Sequence, residues 1–564
     1  MANSKPRILI KAKPILAGTS FAMDSVPIRM EPLFPDRRPV TKMGAAPGAE
    51  WHIADLPSDT DPAAIWDLCH QLQSKGMGVS GGGIEFAEPD LEQRWETGQP
   101  VGPTGRTFAA AQESCVRPDA ADAGFPMPSP FDWRWYQDSK HSGLDAARAE
   151  VMAATDRVVI AHLDTGYRQG HAVLPPRLDS ARQRSFVDGD PNPNSAVDPG
   201  KGGNSGHGTG TLSLLAGDKF DGSPFGAPSG FVGGAPFATV VPIRVANSVV
   251  LFTNSSVAKG LSYAIEMGVD VLSMSLGGVP SQLWADVVND AYDAGITMVT
   301  AAGNNFGPFK IRVPRFIVYP ARFRRVIAAC GVMFDGKPYA DFANPAKMAG
   351  SYGPDSKMAT AIAAYTPNAP WAKFACPALV RFDGRGTSAA TPQVAAAAAC
   401  WLQKNRDAMR AYSKKWMRVE AVRRALFRAA DNKDFEHFGN GKLRADRAMG
   451  VEPAAEAELS RQAADSVDVP LIGPILSVLF GASESPQRHR MLRVEAAQVL
   501  AASPQLQNML ADSGMDPDSH GDSVPAAARR RFLEALVEDE RSSKTLKAAL
   551  GGSIKKGKAS ASVV

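Results

Sequence analysis

An acid, a histidine and a serine follow one another along this sequence, each where an apolar segment meets a glycine-containing turn. Asp164 ends the apolar run 158–163, His207 lies in the glycine-rich turn 206–210, and Ser388 follows two glycines. Together these residue types can perform nucleophilic acyl transfer: the serine attacks a carbonyl, the histidine moves the proton and the acid orients the histidine.

Ser388 on its own has a second interpretation. Serine is a preferred N-cap, and the alanine run 395–399 predicts a small, apolar, buried helix directly after it. Pro392 falls about where the first helical turn would be, and proline is tolerated there. The acid and the histidine favour the nucleophile over the cap.

The segments that carry these residues alternate between strand and helix patterns. Strands are predicted at 158–164, 239–245, 269–275 and 296–300, and helices at 258–267, 284–294 and 401–430. The alternation predicts an α/β fold, a doubly wound, mostly parallel sheet with helices on both faces. Ligands bind such sheets beyond the carboxyl ends of the strands, where Asp164 is placed.

Four motifs in register resemble the subtilisin-like serine proteases, or subtilases. They are Asp-Thr-Gly at 164, His-Gly-Thr at 207, Ala-Ala-Gly-Asn at 301 and Gly-Thr-Ser-Ala-Ala at 386, within a resemblance that spans roughly residues 130–450. The resemblance implies a serine endopeptidase with the triad Asp164, His207 and Ser388. It also implies that Asn304 stabilises the oxyanion, together with the backbone N–H of Ser388.

The same resemblance places the primary substrate pocket between two strand ends. The implied lining residues are Ser275, Leu276, Gly277, Gly278, Ala302 and Gly303. Because neither edge carries a charged side chain, we expect an open, apolar pocket that prefers large hydrophobic side chains.

The sequence also departs from the family pattern. Gly210 stands where the family has a second histidine, and Ala389, Thr391, Gln393 and Ala396 are substituted around the serine. No catalytic group is lost. His162 lies on the same strand face as Asp164 and is interpreted as a packed or hydrogen-bonded histidine, and His171 as a structural histidine in a loop.

Four regions are predicted. Residues 1–95 form a small α+β domain that resembles a subtilase propeptide, the alternative being a domain for stability or partner binding. Residues 96–130 form a linker suited to processing, and 131–450 the catalytic domain, closed by a turn and strand at 438–445. Residues 451–564 form a helical module, with helices at 452–464, 490–510, 526–538 and 544–550 and a mobile basic tail. This module is either a site for a regulatory protein partner or a stabilising cap.

Composition excludes several classes of protein. With 62 Lys and Arg against 58 Asp and Glu, the net charge of +4 does not indicate nucleic-acid or membrane binding. The sequence shows no signal-peptide pattern or membrane span, the broken apolar stretch 471–480 being too short, so we expect a cytoplasmic protein. Five scattered cysteines without a Cys-x-x-Cys motif argue against a disulfide framework and a zinc site.

No cofactor is expected for the chemistry and no metal ligands are assigned. The acidic loop beginning at Asp188 fails the EF-hand pattern, because its twelfth position is Pro199. Calcium is common in subtilases, so a structural calcium ion remains open, without a motif to assign it.

The preferred function is a serine endopeptidase made as a zymogen or otherwise regulated. The alternative is a restrained or inactive subtilase-fold scaffold that binds protein partners. A sedolisin is disfavoured because His207 is present. An aspartic protease would need Asp164 to meet the Asp-Ser-Gly at 512, which lies in a polar, helical region.

Overall fold

The structure is a computed structural model of the 564-residue chain. It describes residues 5–13, 20–23, 26–35, 49–75, 83–94, 115, 125–127, 132–200, 205–223, 229–249, 251–305, 316–344, 347–431, 434–468, 486–513 and 525–551. Most of the predicted linker 96–130, the apolar stretch 471–480, the turn at 514–522 and the basic tail after 551 lie outside these residues.

The N-terminal domain is a small antiparallel sheet with one helix. Its strands are β1 (Arg7–Ala12), β2 (Ser20–Met23), β3 (Val26–Arg29), β4 (Glu31–Pro32), β5 (Glu50–Asp55) and β6 (Ile84–Pro89), and its helix is α1 (Ile65–Lys75). The main sheet has the order β4-β5-β1-β6, and β2 pairs with β3. Strand β7 (Glu92–Arg94) then leaves this domain and pairs with a strand of the catalytic domain.

A seven-stranded parallel sheet forms the centre of the catalytic domain. Its strands, in spatial order, are β19 (Ala361–Tyr365), β17 (Ile327–Val332), β15 (Thr297–Ala301), β14 (Val271–Met274), β8 (Val159–Asp164), β12 (Thr239–Arg244) and β9 (Arg184–Ser185). Short two-stranded pairings surround it. They comprise β10 (Lys219–Phe220) with β11 (Gly230–Phe231), β13 (Leu251–Thr253) with β7, β16 (Asn304–Asn305) with β18 (Ala349–Gly350), and β20 (Ala369–Ala372) with β21 (Val380–Gly384).

Helices cover both faces of this sheet, as the alternating side chains of the strands require. Ala161 and Leu272 belong to one buried cluster, whereas their neighbours Ile160 and Val271 belong to the other. The catalytic-domain helices are α2 (Leu144–Val151), α3 (His207–Ala216), α4 (Asn254–Glu266), α5 (Gln282–Asp293), α6 (Asp355–Met358), α7 (Thr387–Lys404), α8 (Arg406–Ala411), α9 (Trp416–Ala429), α10 (Phe435–Phe438) and α11 (Ala445–Ala448). The predicted doubly wound α/β fold is confirmed.

The C-terminal region differs from its prediction. The expected helix at 452–464 is wrong: this stretch contains a single 3-10 turn, Glu456–Glu458, and runs along the catalytic domain. Asp465 fixes it there by accepting hydrogen bonds from the backbone N–H groups of Arg324 and Arg325, at 2.8 and 3.0 Å. Helices follow as α12 (Pro486–Ala502), α13 (Pro504–Asp512) and α14 (Ala526–Glu538), with a helical segment at 544–551.

Two further predictions at the end of the catalytic domain need correction. The helical pattern 401–430 is interrupted twice, after Lys404 and after Ala411. The strand expected within 438–445 is replaced by isolated bridges, one of which joins Lys442 to Ala363. Glycines at 439 and 441 adopt positive φ angles in this turn, which prevents a regular strand.

One disulfide contradicts the expectation drawn from the scattered cysteines. Cys115 of the linker bonds to Cys376, which lies between β20 and β21, 261 positions further along the sequence. Spacing along the chain cannot reveal this pair because the fold brings the two segments together. Cys69, Cys330 and Cys400 are buried free thiols. Within the described residues, no helix is both long and apolar enough to span a membrane.

Candidate active site

Asp164 and His207 meet at the carboxyl edge of the parallel sheet. Asp164 is the last residue of β8, and His207 is the first residue of α3, after Gly206 at a φ of 87°. The Nδ1 atom of His207 lies 2.7 Å from Oδ1 of Asp164. The carboxylate thus fixes the imidazole with Nδ1 as the donor and leaves Nε2 for proton transfer.

Asp164 stays ionised although it is fully buried. Burial raises the pKa of this carboxyl, but the adjacent His207 and its hydrogen bond outweigh burial and hold the pKa below its ordinary value. The backbone N–H of Thr165 donates to Oδ1 at 2.7 Å, and the hydroxyl of Thr211 donates to Oδ2 at 3.1 Å. All these donors favour the charged form.

His162 supports this carboxylate from behind. Its Nε2 atom lies 2.9 Å from the hydroxyl of Thr211, which also contacts Asp164. Burial lowers the pKa of His162 to about 4, so its ring is neutral at physiological pH. The interpretation of His162 as a packed, hydrogen-bonded histidine is confirmed. His171 is likewise buried, and its Nδ1 accepts from the N–H of Val173 at 3.3 Å.

Ser388 occupies the first turn of α7, close to the edge that follows β14. Its hydroxyl donates to the backbone carbonyl of Ser275 at 3.4 Å, and within the described residues no hydrogen bond joins it to His207. The capping interpretation is wrong: Gly386, at a φ of 79°, precedes the helix. Rotation about one side-chain bond would direct the hydroxyl elsewhere, since Ser388 carries only χ1.

Pro392 is the sixth residue of α7, one turn later than predicted. A proline there lacks the N–H that would bond to the carbonyl four residues earlier, which is that of Ser388. The hydroxyl of Ser275 fills this role by donating to the Ser388 carbonyl at 3.0 Å. Proline therefore couples the first turn of α7 to the end of β14.

Asn304 lies beside the start of the same helix. Its Oδ1 accepts from the backbone N–H of Thr387 at 2.8 Å and from the Thr387 hydroxyl at 3.3 Å. These two donors assign the oxygen to the helix and direct the amide nitrogen away from it. A Cβ on Gly386 would come within 3.0 Å of that nitrogen, so a glycine is needed here.

The two edges predicted to bind substrate flank Ser388, with a third segment between them. Gly278 exchanges backbone hydrogen bonds with Tyr319 at 2.7 and 3.1 Å, and the N–H of Val318 donates to the carbonyl of Ala302 at 2.9 Å. The Cγ2 methyl of Val318 would lie 2.4 Å from a Cβ on Gly277, and its Cγ1 methyl 2.9 Å from a Cβ on Gly303. Val318 therefore packs between the two glycine edges, in the space that the sequence left open.

Trp371 is a second residue that the motifs did not reveal. Its ring packs edge-on against His207, with ring centroids 5.6 Å apart. A Cβ on Gly210 would lie only 1.8 Å from the indole. The glycine that replaces the family's second histidine thus makes room for this tryptophan. The glycine at position 210, where the family has a histidine, is the feature of the sequence that could have indicated a large side chain packed here.

The acidic loop after β9 is engaged by arginines. Asp188 pairs with Arg7 of the N-terminal domain at 2.5 Å, and Asp190 forms an ion pair with Arg244. Among the residues that the structure describes, no group of three or more His, Cys, Asp or Glu side chains is arranged to hold a metal ion.

Comparison with known proteins gives the same assignment as the motifs. Over 179 residues the chain is 35% identical to subtilisin DY of Bacillus licheniformis, an alignment that covers 31% of this chain and 58% of that protein. It is 28% identical to thermitase of Thermoactinomyces vulgaris over 282 residues, covering 49% and 85% of the two chains. It is also 28% identical to the major intracellular serine protease of Bacillus subtilis over 249 residues, covering 43% and 67%.

The model of the subtilase family, peptidase family S8, matches residues 155–441. These residues contain all four motifs and all seven strands of the parallel sheet. The predicted resemblance is therefore confirmed. Since the match covers more than half of the chain, the protein belongs to the subtilase family of serine peptidases.

Proposed function

We propose that the protein is a serine endopeptidase that hydrolyses peptide bonds of protein or peptide substrates, with Asp164, His207 and Ser388 as its triad. The observation that supports this most directly is the 2.7 Å contact between buried Asp164 and His207. It lies at the edge of the sheet where the first turn of α7 presents Ser388.

The chemistry follows from this arrangement. The Ser388 hydroxyl turns from the Ser275 carbonyl towards His207, loses its proton to Nε2 and attacks the substrate carbonyl carbon. Asp164 stabilises the imidazolium. His207 then protonates the amine as the C–N bond breaks, and water repeats the sequence on the acyl-enzyme, which releases the acid and restores Ser388.

Asn304 and the start of α7 stabilise the oxyanion. Because Oδ1 of Asn304 is held by Thr387, the amide N–H₂ is the group available to the developing negative charge. The backbone N–H of Ser388 belongs to the first turn, where such groups have no partner within the helix.

The N-terminal domain is proposed to be an inhibitory propeptide. Strand β7 pairs antiparallel with β13, with Gln93 opposite Phe252. The side-chain amide of Gln93 accepts from the N–H of Val279 at 2.9 Å and packs over Gly278. A segment of the chain itself therefore lies along the predicted substrate edge.

Two carboxylates anchor this domain on helix N-termini. Glu88 accepts from the Ser281 hydroxyl and the N–H groups of Gln282 and Leu283, which begin α5, at 2.9, 3.2 and 2.9 Å. Asp90 accepts from the N–H and hydroxyl of Ser255 in α4, at 2.9 and 2.7 Å. The partial positive charge of the helix N-termini favours the charged carboxylates and partly offsets burial, which raises the pKa of Glu88 to about 7 and the pKa of Asp90 above its ordinary value.

The test is the intact mass of purified wild type beside Ser388→Ala, with labelling by a serine-directed fluorophosphonate. With the mass measured after reduction, because the Cys115–Cys376 disulfide would hold a fragment cut beyond residue 115, we expect the wild type to lose roughly the first 100–130 residues, as a linker cleavage requires, and to be labelled. The Ser388→Ala chain should stay whole and unlabelled. An unlabelled wild type that also remains unlabelled after its N-terminal domain is removed would support the scaffold function instead.

A further inference from the structure

Helix α1 of the N-terminal domain also packs against the C-terminal helices. Trp66 donates from its indole nitrogen to Oε1 of Gln498 at 3.0 Å, and Nε2 of His70 lies 2.7 Å from Oε2 of Glu495. All four side chains are buried. Apolar side chains of α1 and α12 belong to one continuous core, with Leu68 and Leu492 among its members.

Asp67, on the same helix, binds the start of the segment 544–551. Its carboxylate accepts from the backbone N–H of Lys544 at 3.1 Å and from the N–H and hydroxyl of Thr545 at 2.8 and 2.6 Å. Glu495 accepts from the N–H of Ser543 at 2.7 Å. Side chains from opposite ends of the chain thus satisfy the N–H groups that begin this helical segment.

Gln498 joins all three parts of the molecule. Its Oε1 receives the bond from Trp66 of the N-terminal domain, while its Nε2 donates to the Pro280 carbonyl of the catalytic domain at 3.0 Å. The same nitrogen donates to Oε2 of Glu88 at 3.2 Å. Glu88 is the carboxylate that anchors the N-terminal domain on α5, so α12 lies directly over that anchor.

We propose that helices α12 to α14 and the segment 544–551 form a clasp that retains the N-terminal domain over the active site after the linker is cut. The proposal rests on the proposed function, in which that domain is inhibitory. A cleaved N-terminal domain has to break two interfaces to leave, one with the catalytic domain and one with the clasp. Its dissociation is slow because breaking the buried hydrogen bonds of either interface leaves polar groups without partners.

The clasp changes what activation requires. Cleavage of the linker alone leaves the enzyme slow to react, because the N-terminal domain stays in place, and full activity appears when the clasp is opened or removed. The clasp also gives the C-terminal module its partner, which is the N-terminal domain of the same chain.

Retention of the cleaved N-terminal domain is measured first in a chain that lacks the proposed nucleophile. In a full-length Ser388→Ala chain, a recognition sequence for a site-specific protease is placed between residues 96 and 114, so that the Cys115–Cys376 disulfide does not hold the fragment. After cleavage, dissociation of the N-terminal fragment is followed by size exclusion. We expect Asp67→Ala/Gln498→Ala to release the fragment about tenfold faster or more than the unsubstituted clasp.

Matched controls are Asp59→Ala and Gln505→Ala, which remove exposed side chains of the same types from the same two regions. They should leave the dissociation rate unchanged. Equal release rates for the clasp variant and these controls would overturn the proposal. Hydrogen exchange of the uncut Ser388→Ala chains checks folding: the clasp variant should lose protection in 65–75 and keep it in 159–164.

Fluorophosphonate labelling of chains with Ser388 intact separates this proposal from the proposed function. Asp90→Ala, which weakens the interface with the catalytic domain and removes the ion pair with Arg7 but does not touch the clasp, and the clasp variant should both be labelled faster than wild type. Faster labelling of Asp90→Ala alone would refute the clasp and leave the peptidase standing. Absence of labelling in every chain would refute the peptidase, and the clasp would fall with it.

Discussion

Asn304 is held by two donors of Thr387, so its amide nitrogen is fixed before any substrate arrives. A donor prearranged in this way acts mainly on the transition state, where the negative charge develops. We expect Asn304→Ala to lower kcat by about 10²–10³, the range known for the equivalent donor of subtilisin, with little change in KM.

The measurement is steady-state hydrolysis of a chromogenic peptide by processed enzyme. Asn305→Ala, which removes the neighbouring amide, is the control and should retain kcat. A turnover number for Asn304→Ala within a factor of two or three of wild type would show that the oxyanion is stabilised elsewhere.

If the two glycine edges bind the substrate side chain as proposed, we expect Val318 to limit how deep that side chain can enter. Its methyl groups lie against Gly277 and Gly303, in the space that the sequence alone left open. Val318→Gly should therefore raise kcat/KM for substrates with Phe at the cleavage position, by about tenfold or more, relative to substrates with Ala. The two peptides are compared on wild type and variant; an unchanged ratio would place the limiting contact outside Val318.

At the scale of the site, the motifs predicted the positions of the acid, histidine, serine and asparagine at element ends, since glycine turns and apolar runs are local signals. They did not predict Val318 or Trp371. Both residues reach the site from segments distant in sequence, and only the packing of those segments shows what their side chains fill.

Helix α3 and the hairpin β20–β21 depend on each other through one contact. The indole of Trp371 occupies the space beside Gly210, and the same hairpin leads through Gly384 into Ser388. Gly210→Ala should displace the tryptophan, and with it both His207 and the approach to Ser388, because a Cβ would overlap the ring.

We expect Gly210→Ala to lower kcat/KM and the thermal midpoint together, and Trp371→Ala to restore part of the loss in the double variant. A double-mutant cycle measures this coupling. Additive effects of the two substitutions would mean that the contact does not link the two elements.

Elements were predictable where periodicity was strong. The strands at 158–164, 239–245 and 296–300 agree with β8, β12 and β15 to within one residue at every end. The helix expected at 452–464 failed because its alanines and glutamates have helical propensity, whereas the extended form lets Asp465 bind two backbone N–H groups of the catalytic domain. Tertiary contacts outweighed a weak local preference.

At the scale of the molecule, the sequence indicated the separate regions but not how they join. The buried contacts of α1 with α12, and the pairing of Cys115 with Cys376, connect residues hundreds of positions apart. No local pattern records such pairs. The disulfide also bears on the location of the protein, because such bonds persist mainly in oxidising compartments. The cytoplasmic location is a prediction from the sequence, and the disulfide argues against it.

Stability of the whole molecule should depend on pH through His162. Its folded-state pKa is about 4, against an ordinary value of 6.5, because burial disfavours the charged ring beside His207 while Asp164 only partly compensates. Between these two values the unfolded chain binds a proton that the folded chain does not. The contribution of neutral His162 to the free energy of unfolding is therefore fully present above pH 6.5. It decreases as the pH falls towards 4, by about 3 kcal/mol in total.

Replacing the ring with a group that does not titrate should remove the contribution of His162 to this slope, whereas His52 and His171, whose pKa values burial also lowers, still contribute. His162→Gln keeps a side chain able to form a hydrogen bond with Thr211. The two chains therefore differ mainly in their ability to bind a proton at this position. Thermal midpoints of Ser388→Ala and of Ser388→Ala/His162→Gln, measured from pH 7 to pH 4, should converge as the pH falls. Asp164 contributes little within this window, since its pKa lies below the ordinary value and its stabilising charge is lost only at lower pH. Parallel curves would show that the acid sensitivity of the fold comes from other groups.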